Sequence, residues 1–326
     1  MTDDTVAAGV YGVGQMGSYH ARVYETLPNV DLVGVYDVDR ERAERVAADY
    51  GTTALDPEAL YDAADAVSIA VPTAYHFDVA SEAIDHGVNV LVEKPITETE
   101  EQASRLIERA DREGVALQVG HIERFNPAIE TLRDVVPDLD VIAVDARRLG
   151  PPLDREMNTG VALDLMLHDL DVVMDVLDTD PVGVTANGTG DGRYVTASVT
   201  FDDDVIGTFT ASRLTQQKVR TLSITARDCK VDVDYIDRSV RIHRKSYPEF
   251  VENDGSVRYR HESLIEQPIV ENGEPLKAEL ESFTDAVRTG ERPAVTGEDG
   301  RRALALARRI EALAETDPEE VPHVKT

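Results

Sequence analysis

An alternation of element types constrains this chain most. Over residues 1–120, short apolar runs take turns with amphipathic stretches. Val6–Tyr11 reads as a strand and Met16–Leu27 as a helix, and Asp31–Tyr36 with Asp39–Tyr50 repeats the pair. Strand Ala66–Val71, ended by Pro72, precedes helix Tyr75–His86. Strand Val88–Val92 precedes helix Glu98–Arg112, and Ala116–Val119 closes the series. Strands joined through helices lie parallel, so the alternation predicts a doubly wound parallel sheet with helices on both faces. The pattern then changes. After helix Val161–Leu177 come six β-like runs: Val182–Thr189, Tyr194–Phe201, Val205–Ser212, Val219–Thr225, Lys230–Val233 and Val240–His243. Turn signals such as Asn187-Gly188 and Asp202-Asp203-Asp204 separate them. Strands without intervening helices predict a largely antiparallel open sheet, and Pro275–Arg288 and Asp299–Ala314 read as closing helices. The expected division is an α/β domain over 1–122 and an α+β domain over 123–326.

The 326 residues are enough for about two domains. With 42% hydrophobic residues the chain is neither disordered nor fibrous. The single cysteine, Cys229, cannot form an internal disulfide, which points to a reducing, cytoplasmic setting. No apolar run reaches the roughly 18 residues of a membrane span, and Met1-Thr2-Asp3-Asp4 does not read as a secretory signal. The formal net charge of −30 repels nucleic acid and anionic membranes, so neither is expected as a partner. Cations are skewed too: the lysines are Lys94, Lys218, Lys230, Lys245, Lys277 and Lys325, and the rest are arginine. Abundant Asp with scarce Lys resembles the proteins of salt-in haloarchaea, where molar salt screens such self-repulsion.

Val6–Tyr11 leads into Gly12-Val13-Gly14-Gln15-Met16-Gly17, a G-x-G-x-x-G turn between a strand and a helix. In that context the turn reads as a dinucleotide site. Gly12 permits the tight turn, Gly14 lets a pyrophosphate approach the backbone, and Gly17 lets helix and strand pack closely. The helix N-terminus, with Gln15 and Met16, offers unpaired N–H groups to phosphates. Asp37 ends the second strand 20 residues after Gly17. A carboxylate there accepts from ribose hydroxyls and repels a 2′-phosphate, which favours NAD over NADP. Arg40 complicates this, because it can pair with a phosphate. The alternative is an Asp37 that only caps the next helix.

Val71-Pro72-Thr73 with His76 ends one strand and Glu93-Lys94-Pro95 ends the next; in a parallel sheet both ends face the ligand crevice. Glu93-Lys94-Pro95 and Gly160-x-x-x-Asp164-x-x-x-His168, in that order, resemble two motifs of the Gfo/Idh/MocA family, the NAD(P)-dependent sugar and inositol dehydrogenases. The stretch from Leu276 to Leu304 resembles its closing helices, so the likeness spans essentially the whole chain. It implies Val71, Pro72, His76, Glu93 and Lys94 around the cofactor and a cis peptide before Pro95. It also implies oxidation of a sugar alcohol without a metal. His168 would take the hydroxyl proton, Lys94 would stabilise the developing negative charge, and Asp164 would hold the substrate. Asp164, His168, Asp171 and Asp175 also form one polar stripe on an otherwise apolar helix at 100° per residue. Asp164 and His168 are expected in the cleft, Asp171 and Asp175 towards solvent.

Gly120-His121-Ile122-Glu123-Arg124-Phe125-Asn126-Pro127 is similar to the stretch of family members acting on UDP-N-acetylglucosamine at C3. It makes Glu123, Arg124 and Asn126 candidate substrate contacts; otherwise the segment is a loop with Asn126-Pro127 as a helix start. A diphosphate needs cations, and Arg147, Arg148, Arg155 and Arg213 are candidates. Three functions stay open: a nucleotide-sugar dehydrogenase, a dehydrogenase of free sugars or inositols, and a non-catalytic NAD-binding regulator. A homo-oligomer, dimer or tetramer, is expected through the second sheet.

Overall fold

The structure is a computed structural model that describes residues 5–152, 159–245, 249–253, 256–260 and 263–315. It divides into two compact units: Met1–Phe125 with Gly273–Ala305, and Asn126–Asn272 with Leu306–Thr326.

The first unit alternates as the sequence predicts. In chain order it contains β1 (Val6–Tyr11), α1 (Gln15–Thr26), β2 (Val30–Tyr36), α2 (Arg40–Asp49), α3 (Pro57–Ala63), β3 (Ala66–Ile69), α4 (His76–Asp85), β4 (Asn89–Glu93), α5 (Glu100–Glu113) and β5 (Leu117–Gly120). The sheet order is β2-β1-β3-β4-β5, all parallel. Successive strands leave β1 in opposite directions, so a switch point lies between β1 and β3, where such sheets bind ligands. The short helix α3 escapes the periodicity because only Leu60 and Tyr61 of its seven residues are buried.

The second unit begins with α6 (Pro127–Val135), whose start the sequence marked, and β6 (Val141–Leu149). One π-helical turn, Ala162–Met166, leads into α7 (Leu167–Val176). Then come β7 (Pro181–Gly188), β8 (Tyr194–Phe201), β9 (Ile206–Ser212), β10 (Val219–Ala226), β11 (Cys229–Asp234), β12 (Ser239–Arg244), the hairpin β13 (Glu249–Asn253) and β14 (Ser256–Arg260), and β15 (Leu264–Glu266). Eight strands form one sheet in the order β15-β12-β11-β10-β6-β9-β8-β7. Every neighbouring pair is antiparallel except β6 with β9. Asn187-Gly188 belongs to β7, paired with Thr196 and Val195, rather than to a turn. The inner face is apolar, with Val144, Val199, Phe209, Leu222, Val231 and Ile242 all buried. The outer face carries Asp145, Arg147, Thr196, Thr208, Thr210, Ser223 and Asp232.

Helices α8 (Pro275–Thr289) and α9 (Gly297–Ala314) close the chain. The expected single domain over 123–326 is corrected here: Gly273–Ala305 groups with the first unit. Leu276, Leu280 and Phe283 of α8 enter the same apolar core as Val10, Ala21 and Tyr24, and burying that face holds the helix there.

Candidate active site

β1 ends in Gly12, whose φ of +89° suits glycine. A Cβ on Gly17 would lie 1.8 Å from the Gly12 carbonyl oxygen, so only glycine lets α1 start this close to the strand. A Cβ on Gly14 would meet nothing within 4 Å, which leaves its backbone open to a ligand at the N-terminus of α1. Gln15 and Met16 open that helix.

Asp37 is buried at the end of β2. Its Oδ2 accepts from Val13 N (2.9 Å) and its Oδ1 from Asp39 N (2.9 Å), tying the strand end to the glycine turn. The cap of α2 is Asp39, which accepts from Arg42 N, so Asp37 is not the capping residue. Arg42, not Arg40, reaches Asp37, at 3.2 Å; Arg40 lies with Glu44 and Asp56. The sequence signal for Arg42 is its place in the first turn of a helix that starts beside the acid.

The exits of β3 and β4 lie side by side, since Ile69 pairs with Val92. His76 stitches the two loops together. Its Nδ1 lies 2.9 Å from the Pro95 carbonyl oxygen and its Nε2 lies 2.8 Å from that of Val71. Burial pushes its pKa down, against the pull of those two carbonyls. The imidazole therefore spends its polar atoms on the backbone, where the sequence reading had placed it around the cofactor. Pro72 is exposed at this exit, and the Lys94-Pro95 peptide is cis.

Glu93 is largely buried, and Gly120 on β5 makes room for it: a Cβ there would come within 3.1 Å of its carboxyl. Its Oε1 lies 3.0 Å from His20 Nε2 on α1. Burial raises its pKa, but the His20 hydrogen bond and the charges of His20 and Lys94 outweigh this and hold it below the ordinary value. His20 went unnoticed in the sequence; the signal was a polar residue on the buried face of α1.

After β5, Glu123 and Arg124 sit buried in a 3₁₀ turn, with Arg124 3.6 Å from Asp299. Asn126 caps α6: its Oδ1 accepts from Ala128 N and its Nδ2 donates to the Tyr235 carbonyl. Its amide serves the fold at both ends.

In the second unit, Gly160, Asp164 and His168 lead into α7 through the π turn. Asp164 pairs with Arg213, whose Nη1 also donates to the Thr159 carbonyl. Both Asp164 and His168 are half-buried. The expected stripe is corrected beyond them. Asp171 is 1% exposed, and Asp175 receives two hydrogen bonds from Arg133 of α6, at 2.9 and 2.6 Å. The cause is packing around α7 itself, since the π turn ends at Met166, before His168, Asp171 and Asp175. Helix α6 also meets a side that the sequence reading left to solvent.

Of the candidate phosphate arginines, Arg148 is corrected in the same way. Arg148 is fully buried and grips Asp169 with two hydrogen bonds, Nε to Oδ2 at 2.9 Å and Nη2 to Oδ1 at 2.8 Å. Its guanidinium lies over the Tyr235 ring. Arg147 pairs with Asp145, Arg213 is spent on Asp164, and Arg155 lies outside the described residues.

A glycine turn over the switch point of a five-stranded parallel sheet, with an acid bound to it at the end of β2, defines a dinucleotide-binding Rossmann protein. Residues 6–121 match the oxidoreductase family with an NAD-binding Rossmann fold, and residues 142–231 match the GFO/IDH/MocA C-terminal domain. The chain belongs to the Gfo/Idh/MocA family of oxidoreductases, which includes NAD-dependent dehydrogenases acting on CH–OH groups. It is 34% identical to UDP-N-acetylglucosamine 3-dehydrogenase of Acidithiobacillus ferrooxidans over 94% of this chain and 96% of that one. The solved structure of that enzyme superposes with a TM-score of 0.86, covering 95% of this chain and 98% of that chain at 32% identity. The scyllo-inositol 2-dehydrogenase (NAD(+)) of Bacillus subtilis is 27% identical over 90% of each chain.

Proposed function

We propose that this protein oxidises a secondary alcohol of a nucleotide sugar, at C3 of UDP-N-acetylglucosamine or a close analogue, with NAD. The observation that carries the reading is the near full-length likeness to the A. ferrooxidans enzyme, with the Glu93-Lys94-Pro95 and Asp164/His168 motifs intact. The glycine turn fits a dinucleotide: Gly14 leaves open the space where a Cβ would stand, and Asp37 offers a carboxylate at the ribose position. Gln15 and Met16 contribute N–H groups there, and Val71, Pro72 and Glu93 border the nicotinamide end. NAD is favoured over NADP because a carboxylate repels a 2′-phosphate, although Arg42 beside Asp37 and Arg40 on α2 carry the opposite charge.

NAD, when bound, supplies the hydride acceptor. His168 takes the hydroxyl proton as the carbinol carbon gives up its hydrogen, since an imidazole titrates near neutral pH. Lys94 donates to the same oxygen and stabilises its developing charge. Asp164, held by Arg213, orients the sugar, and Glu123 and Arg124 are the further proposed substrate contacts. The product is a ketone and a proton.

The protein is read as working in molar salt in the cytoplasm. The polar outer face of the eight-stranded sheet is the proposed surface for a homo-oligomer. The deciding experiment measures NADH formation in concentrated KCl with UDP-N-acetylglucosamine, free N-acetylglucosamine, and scyllo- and myo-inositol. Turnover with the nucleotide sugar alone is expected. Turnover only with free polyols would transfer the protein to the inositol branch, to which the B. subtilis likeness points. No turnover with any of them refutes a dehydrogenase of these sugars.

A further inference from the structure

Glu279 breaks a rule of helix patterning. Leu276, Glu279, Leu280 and Phe283 share the buried face of α8, so a carboxyl sits where an apolar residue belongs. Glu279 is 0% exposed, and neither carboxyl oxygen has a hydrogen-bond partner among the described residues. His20 Nδ1 and Gln118 Oε1 are buried and unpartnered in the same sense, and Gln118 Nε2 donates to the Glu279 backbone carbonyl (3.3 Å). A Leu or Met at position 279 would avoid the penalty of burying a lone polar group. A chain that retains one at such a place usually uses it.

We propose that Glu279 is a positioning residue for Lys94, acting through Glu93: buried side chains from α8, β4 and α1 (Glu279, Glu93 and His20) lie behind the Glu93-Lys94-Pro95 turn. Two buried carboxyls that feel each other's charge cannot both ionise cheaply. Glu93 has His20 at 3.0 Å and the neighbouring charge of Lys94, so the charge settles there. Glu279 has burial and the Glu93 charge against it, and both push its pKa well above the ordinary value. It stays protonated. Glu93 then keeps its charge and its hydrogen bond with His20, and its Oε2 still accepts from the Lys94 backbone N–H at 3.3 Å. The other ionisable groups on the elements packed against α8 are Tyr19, Arg22, Tyr24 and Glu25 of α1, Tyr11 of β1, and Glu123 and Arg124 of the 3₁₀ turn. Tyr24 is engaged with Ser68 at 2.7 Å, Arg22 with Glu274 and Arg124 with Asp299, so none is spent on Glu279.

The inference rests on the reading of Lys94 as a site residue, and the test separates the two. Glu279→Gln keeps the shape and removes the proton; Glu279→Leu removes both polar atoms. At neutral pH exposed carboxyls are ionised, so infrared spectroscopy of the full chain should show a protonated-carboxyl band that Glu279→Gln abolishes. Proton linkage gives the second readout. A raised folded pKa means stability present below the unfolded value of about 4.3 and lost as pH rises above it. The melting-temperature advantage of Glu279→Gln over the wild type should therefore grow from about pH 5 to about pH 8. In turnover of UDP-N-acetylglucosamine, the alkaline limb of the kcat profile should shift by about half a unit or more in Glu279→Gln, because a second charge acting on Glu93, the neighbour of Lys94, can no longer appear. Glu279→Leu, which also removes the ionisable group, should shift the same limb in the same direction. An infrared spectrum unchanged by Glu279→Gln overturns the buried neutral acid. An unmoved kcat profile in a folded Glu279→Gln overturns the positioning role. Full turnover in Lys94→Ala, with the infrared band still present, overturns the Lys94 reading and leaves the protonated acid standing.

Discussion

Asp169 follows His168 directly, and its pairing with Arg148 fixes the first turn of α7 against the central strand β6. The informative perturbation is Asp169→Asn. The two side chains are 3% and 2% exposed and their closest N···O distance is 2.8 Å. At an effective dielectric of about 20 their attraction is about 6 kcal/mol. Removing two ions from water costs several kcal/mol each, so the intact pair contributes little net. Removing one partner is different. Asp169→Asn leaves a buried guanidinium without its counter-charge, at a cost of about 3–5 kcal/mol, or roughly two to four powers of ten in the folding equilibrium. Out of a typical total of about 5–15 kcal/mol this is a severe loss. The assay is urea unfolding at fixed KCl, followed by far-UV circular dichroism because the chain has no tryptophan. The midpoint should fall with little change of slope. The double variant Arg148→Met/Asp169→Leu should recover most of the loss, since apolar replacement of a whole buried pair is often neutral or better. A cost below about 1 kcal/mol for Asp169→Asn, or a double variant worse than the single one, would refute the account of the pair as a desolvated lock.

Three further outcomes are expected. Lys94→Ala and His168→Ala should each lower kcat by about 10²–10⁴-fold while NADH binding, followed by fluorescence, stays nearly intact. Gly17→Ala should weaken NADH binding strongly, because its Cβ collides with the Gly12 carbonyl and shifts α1; titration calorimetry with NADH checks this. Raising KCl from about 0.1 M to 1 M shortens the screening length from about 10 Å to about 3 Å, so the melting temperature of a chain with net charge −30 should climb across that range.

Much of the site was legible because it is local. The tight turn at Gly12, the close packing at Gly17 and the Glu93-Lys94-Pro95 corner each depend on a few consecutive residues at the end of a strand. The alternation of strands and helices likewise announced the parallel sheet. Less legible was β6. Its neighbours are β10 and β9, far along the chain, and its inner face includes Arg148, so its pattern did not read as a core strand. The partners of Asn126 and of the buried Arg148 were illegible for a related reason: a polar side chain looks equally available until its partner is known.

What the amino-acid order determined alone is periodicity: which face of each segment is apolar, where turns must bend, and where a glycine or proline is required. That information sufficed for the class of fold and for most of the nucleotide turn. Tertiary structure decided the pairings: Arg148 with Asp169, Arg133 with Asp175, His20 with Glu93, Arg42 with Asp37, and α8 with the first unit's core. The reason is physical. A side chain's charge and environment depend on what long-range closure brings beside it, and no local repeat of 2 or 3.6 residues encodes that neighbour.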